Sequence, residues 1–199
     1  MKRFVSDELI EMFIQIAYYH SNQSYGFYFW SKSNEVDSII HNHLMSKNNE
    51  NASSLIRILN FYSMDNHDFF KKPNFFADFF DYFEICELKN QIKMLNVVYM
   101  LSPYFVNDLM PFICNLIEIS SNCDFLMISK ICDILLVLMD QLNDNEIAEN
   151  FINSEIFEIF ERILSSDCFN DYYKIIEILM RFKKVDKVTF FQFFNDSAI

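Results

Sequence analysis

Apolar residues recur along this chain at helical spacing, in blocks separated by short polar stretches. Leu9, Ile10, Phe13, Ile16 and Ala17 follow Ser6, Asp7 and Glu8. A serine able to cap, two acids in the first turn and an i, i+3, i+4 apolar pattern predict an amphipathic helix over 6–20. The segment 21–32 breaks the pattern, with Tyr25, Phe27, Tyr28, Phe29 and Trp30 around Gly26. From Ser33 the pattern predicts pairs of helices: 34–46 with 52–65, 73–87 with 89–102, 108–121 with 126–142, and 154–165 with 169–184. Short apolar segments, 68–72, 104–106 and 146–151, precede the later pairs.

The pairs read as copies of one unit. A basic residue, two apolar residues and then Asn, Asp or Glu recur as Arg57-Ile58-Leu59-Asn60, Lys93-Met94-Leu95-Asn96, Lys130-Ile131-Cys132-Asp133 and Lys174-Ile175-Ile176-Glu177, with spacings of 36, 37 and 44 residues. Self-similarity at such a period is the mark of stacked helical repeats. Pro73, Pro111 and Ser154 stand 20, 19 and 20 residues ahead of their basic residues, which predicts that each opens a first helix. Three columns stay apolar while their surroundings vary. Ile40, Phe76, Ile113 and Phe157 form one, and Phe79, Leu116 and Phe160 another, with His43 in the first pair; Ala52, Leu88, Phe125 and Phe169 form the third. Facing helices need such columns to bury a shared core. The expected organisation is a single domain: a capping helix and aromatic segment over 1–32, repeats over 33–185 and a tail over 186–199.

Composition narrows the chemistry. The 199 residues are 52% hydrophobic and include one glycine and three prolines. Phosphate-binding loops of the Walker and Rossmann kinds need several glycines, so neither fits. Scarce Gly and Pro also weigh against an all-β fold, whose hairpins draw on both. The net charge of −12 opposes binding to nucleic acid or an anionic membrane, where the protein must supply positive charge. Lys2 and Arg3 lead into Asp7 and Glu8 rather than an apolar core, so no signal peptide is read. The apolar run 134–139 is far too short to span a bilayer. Five cysteines with no CxxC spacing suit a reducing compartment, the cytoplasm or the nucleus, and their apolar neighbours make them core residues.

With short segments ahead of the paired helices, the chain over 34–185 resembles the armadillo/HEAT superfamily of α-solenoids. The resemblance implies an all-α fold, a right-handed superhelical stack of about four repeats with an N-terminal cap. It also implies that the last helix of each unit lines a groove. On that helix the basic residue and the residue three later share a face, giving the stripe Arg57, Asn60, Lys93, Asn96, Lys130, Asp133, Lys174 and Glu177, continued by Met64, Met100, Val137 and Arg181. Asn60 and Asn96 fall where nuclear-import adaptors carry a ladder of peptide-clamping asparagines. Asp133 and Glu177 depart from that ladder, and Ile56, Ile92, Ser129 and Tyr173 stand where those adaptors carry tryptophan. The implied activity is groove recognition of an extended peptide, not the reading of nuclear-localisation signals. Read as residues alone, the stripe is equally a solvated face with weak i, i+3 charge pairs.

Other candidate chemistry is thin. His41 and His43 lie two apart, which on a helix directs them to different sides, and His20 and His67 have no Cys or His at ligand spacing. The carboxylate pairs Asp78/Asp81, Glu155/Glu158 and Glu158/Glu161 read as exposed helix faces, and Arg181, Lys183, Lys184 and Lys187 as cations near a helix C-terminus. The expected function is non-enzymatic protein–protein recognition, as an adaptor, scaffold or regulatory subunit, with no cofactor and no metal. Two alternatives stay open: an all-α enzyme whose site assembles in space, and a structural subunit of a larger assembly that docks through Phe27–Trp30 or Phe190–Phe194.

Overall fold

The computed structural model describes Met12 and residues 34–47, 52–120, 124–152, 156–165, 170–188, 190 and 191. The expected capping helix apart from Met12, the aromatic segment, Ser154 and Phe169 lie outside the described residues, as does the tail beyond Phe191. Among the described residues the fold is all α, with no strand: α1 Asn34–Ser46, α2 Ala52–Asp65, α3 His67–Phe70, α4 Phe75–Ile85, α5 Leu88–Leu101, α6 Val106–Ser120, α7 Phe125–Gln141, α8 Asp144–Ile147, a π-helical turn Ala148–Ile152, α9 Ile156–Leu164 and α10 Tyr172–Val185. The chain divides into two compact units, one up to Leu101 and one from Ser102.

In the first unit, α1 packs on α4 and α2 on α5. First helix lies on first helix and second on second, which is how neighbouring repeats meet. Three side-chain contacts join α1 and α4, or the residues that flank them, in the same order: Asp37 with Lys72 at 3.1 Å, His41 with Asp78 at 3.6 Å and Lys47 with Asp81 at 3.0 Å. The two helices are therefore parallel and in register. Of the pair read from sequence as a solvated face, Asp81 is exposed, while Asp78 is half-buried against α1.

The core of this unit is aromatic. Helix α4 carries Phe at 75, 76, 79, 80 and 83, all buried, while Asp81 and Glu84 face outward. The spacing of 75, 79 and 83 places three of the rings on one stripe. Helix α3 is a single turn that inserts buried Phe69 and Phe70 between α2 and α4. Phe69 meets Tyr62 edge-on at 4.9 Å and Phe75 at 5.3 Å, the tilted arrangement that ring quadrupoles favour. Asn74 enters α4 in the left-handed region, φ 63°, which asparagine tolerates better than most residues. The Gln91 side chain of α5 donates to the carbonyl of Phe83 at 3.0 Å, a second bond at the acceptor that also takes the Cys86 N–H at the end of α4.

The second unit repeats the scheme: α6 packs on α9 and α7 on α10. Asp124 caps α7 by accepting from the amide of Leu126, and Asn143 with Glu146 forms a capping box that starts α8. The π turn carries buried Phe151, which packs on Phe182 of α10 at 6.1 Å; Phe157 of α9 reaches the same ring at 5.3 Å.

Two of the three apolar columns are core. Ile40, Phe76, Ile113 and Phe157 are all buried, as are His43, Phe79, Leu116 and Phe160. The third divides: Ala52 is buried, but Leu88 and Phe125 are exposed. All three begin their helices, so an apolar residue at a helix start is not thereby placed in the core. Pro111 also differs from expectation, lying inside α6 rather than opening it. Proline there leaves the carbonyl of Asn107 without its i+4 donor, a smaller loss near the start of a helix than at its middle.

Candidate functional site

The stripe residues occupy equivalent positions on the second helix of each pair. Ile58, Met94, Ile131 and Ile175, one residue after each base, are buried on α2, α5, α7 and α10. The two units use the residues of the stripe itself differently.

In the second unit the stripe is an internal clamp. Lys174 is 8% exposed, and its Nζ lies 2.7 Å from Asp133 Oδ1 on α7. It also donates to Ser129 Oγ at 2.8 Å and lies 3.7 Å from Asp171, to which the Ser129 hydroxyl donates in turn. Burial opposes the charge of this ammonium. The hydrogen bond and charge of Asp133, with Tyr173 and Asp171 behind it, outweigh burial and hold its pKa above the ordinary lysine value. A lysine held charged in this way is a structural cation and a poor nucleophile or base. Two turns on, Arg181 donates to Asp140 and to the carbonyl of Leu136 on α7, and pairs with Glu177 on its own helix at 3.0 Å. Contacts from 174 to 129 and from 181 to 136 make α7 and α10 parallel. Beside the clamp, burial pushes the Cys132 thiol up to about 12, Asp133 and Asp171 adding to the rise and Lys174 opposing it.

In the first unit the stripe is open. Arg57 is exposed, and Asn60, Lys93 and Asn96 are half-buried. Lys93 reaches back from α5 to Ser53 Oγ of α2 at 3.2 Å. The side-chain amides of Asn60 and Asn96 make no hydrogen bond among the described residues. Met64, Tyr99 and Met100 stand exposed on the same two helices. This face offers two amides, one cation from each helix and a soft apolar surface. Lys130, at the stripe position of α7, is half-buried.

The histidines on α1 face different neighbours. His41 meets Asp78, while His43 is buried against the Tyr82 ring at 6.1 Å. No group of three His, Cys, Asp or Glu among the described residues is arranged to hold a metal ion. In the second unit a cleft of about 350 Å³ is lined by Asn107, Met110, Pro111, Leu142, Glu146 and Asn150. Its one carboxylate, Glu146, accepts from the Asn143 amide at 2.8 Å and so serves the cap of α8. Cys86, like Cys132, is buried and carries no disulfide; burial, with the charge of Glu87, raises its thiol to about 11. Among the described residues no helix is long and apolar enough to cross a membrane.

Ser129, Asp140 and Asp171 are the members of the clamp that sequence reading passed over. Asp171 stands three residues before Lys174 and Asp140 seven after Asp133, spacings that put each on the face of its neighbour. No protein-family profile matches the chain, and no curated protein or solved structure is significantly similar to it.

Proposed function

We propose that the chain is an armadillo/HEAT-type α-solenoid whose work is non-enzymatic recognition of an extended peptide segment of a partner protein, and that the peptide lies across α2 and α5. The observation that carries this reading is the pair of uncommitted amides, Asn60 and Asn96, at equivalent positions on packed neighbouring helices. An amide side chain donates and accepts at once, which matches the backbone of an extended chain. Packed helices stand roughly 8–10 Å apart. A peptide in an extended polyproline-like conformation presents the same side about every 9 Å, three residues at about 3.1 Å each. Two amides at the helix spacing therefore meet every third peptide unit. Arg57 and Lys93 favour acidic side chains on the ligand, and Met64 and Met100 adapt to apolar ones.

The clamp of the second unit supports the division of labour. Asp133 and Lys174 neutralise each other, so their charge holds α7 to α10 instead of facing a ligand. A selection from a displayed random-peptide library on the wild-type chain, with counter-selection on the Asn60→Ala, Asn96→Ala protein, tests the proposal. Enrichment of acidic, extended sequences that fail on the double variant is the expected result. Sequences that bind both proteins alike would refute it.

A further inference from the structure

We propose that the cleft of the second unit is a binding site for an alkyl cation, an ammonium or guanidinium group carried on a short aliphatic stem.

The cleft, about 350 Å³, lies within the volume range of small-ligand sites. Its lining divides by chemistry. Met110, Pro111 and Leu142 are apolar, while Asn107, Glu146 and Asn150 are polar. Three kinds of acceptor belong to these lining residues, each for a reason built into the chain. Pro111 has no amide hydrogen, so the carbonyl of Asn107, one turn earlier in α6, lacks its helical donor. Leu142 is the extended C-cap of α7, so the cleft lies at the negative end of a 17-residue helix, whose last carbonyls have no partner within the helix. Glu146 spends only one oxygen on the capping box. Its Oε2 takes the Asn143 amide at 2.8 Å, and its Oε1 takes no hydrogen bond among the described residues. Asn150 donates to the Glu146 carbonyl at 2.7 Å, which ties the π turn to α8 beside the cleft.

Charge selects the sign of the ligand. Between Ser102 and Ile152 the chain carries eight acids and a single base, Lys130. Asp108 in the first turn of α6 and Asp144 in that of α8 are exposed, and they offset the positive ends of those two helices. An anion would meet Glu146 and these acids, and a neutral ligand would leave the charge of Glu146 without a partner. An ammonium offers three donors and a guanidinium five, with no acceptor to clash with the carbonyls. The aliphatic stem then lies along Met110, Pro111 and Leu142, as the stems of lysine and arginine cover apolar surface elsewhere.

The α2–α5 face is proposed for acidic ligands, so neither reading rests on the other. Calorimetric titration of the full chain with three probes tests the cleft: diaminobutane for a free polyamine, N-acetyl-lysine amide for the side chain of a protein partner, and butanediol as the neutral counterpart. At least one of the two cations should bind, and butanediol should not. Whichever cation binds more tightly assigns the source, a free amine or a protein side chain. Glu146→Gln should weaken binding by about tenfold or more, while its amide oxygen still accepts from Asn143 and keeps the capping box. Pro111→Ala should weaken binding as well, because the new amide hydrogen engages the Asn107 carbonyl, and it should not lower the melting temperature. Glu158→Gln, on α9 and outside the cleft lining, should leave affinity unchanged, which separates the site from the general pull of a chain of net charge −12. Failure of both cations to bind at about 10 mM overturns the proposal. So does equal binding of butanediol, unchanged affinity in Glu146→Gln or Pro111→Ala, or an equal loss in Glu158→Gln.

Discussion

Lys174 and Asp133 meet at 2.7 Å across two parallel helices, and each belongs to the same recurring four-residue pattern, one copy apart. The base of one copy of the pattern is thereby neutralised by the acid of the copy before it. The pair stands mostly out of water, with the two side chains 11% and 30% exposed. Removing one partner leaves the other poorly compensated, whereas removing both with apolar residues is often close to neutral. Lys174→Met should cost roughly 2–3 kcal/mol, somewhat under the 3–5 of a fully buried pair, because Asp133 keeps some water. Lys174→Met with Asp133→Leu should cost clearly less than the sum of the single changes. Denaturant unfolding of the four proteins gives the coupling directly. Additive costs would mean that the two residues do not act as a pair.

Alkaline pH should loosen the fold. Lys174 has a raised pKa in the folded chain, so its contribution is complete below the ordinary value of 10.5 and is lost as pH climbs through the raised one. Cys86 and Cys132, raised from 9.0 to about 11 and about 12, act in the same direction. Above about pH 9 the unfolded chain releases thiol protons that the folded chain retains, so the unfolded state gains. Burial raises the hydroxyls of Tyr62 and Tyr82 as well, the charge of Asp37 adding to the first. Melting temperature should be flat from pH 7 to 9 and fall progressively above. A melting temperature unchanged to pH 11 would contradict the burial of these groups.

Phe157 tests the second unit from its core. It sits in the first apolar column, 5% exposed, against the ring of Phe182. Phe157→Ala should cost about 3–5 kcal/mol, the range for deleting a buried aromatic ring. Hydrogen exchange should rise first at α9 and α10, the two helices that share this contact. Protection unchanged at both helices would place Phe157 off the core.

The sequence announced the helices because burial acts on columns. Every first and second helix of the four pairs begins within three residues of the expected position. The columns of Phe76 and Phe79 were legible because a core position repeats every unit, and no polar residue survives there except buried His43. The clamp was not legible. Ser129, Asp171 and Lys174 meet across a separation of 42–45 residues, and the stripe looks the same whether its charges face solvent or each other. Which helix lies beside which decides that, and the pattern of a single helix does not contain it. Leu88 and Phe125 misled for a different reason: apolar character at the first residue of a helix does not ensure that the residue reaches the core.

The last prediction concerns the open face of the first unit. If Asn60 and Asn96 clamp a peptide backbone, each lost hydrogen bond should weaken binding by about 0.5–1.5 kcal/mol, and the double change to alanine by about tenfold. Both residues are half-buried with uncommitted side chains, so neither change should disturb the fold. Lys93→Glu should weaken binding further and reduce its dependence on salt, since Lys93 lies on the face proposed for the peptide and its present partner is the neutral Ser53. Lys130→Glu, at the stripe position of α7, extends the test to the second unit. There Asp133 is already held by Lys174, so a ligand confined to α2 and α5 should scarcely sense the change. Titration of a selected peptide against the four proteins by calorimetry separates the cases. A loss at Asn60, Asn96 and Lys93 with little at Lys130 confines recognition to the first unit. An equal loss at Lys130 refutes that confinement. Unchanged affinity in every variant removes the stripe from recognition altogether.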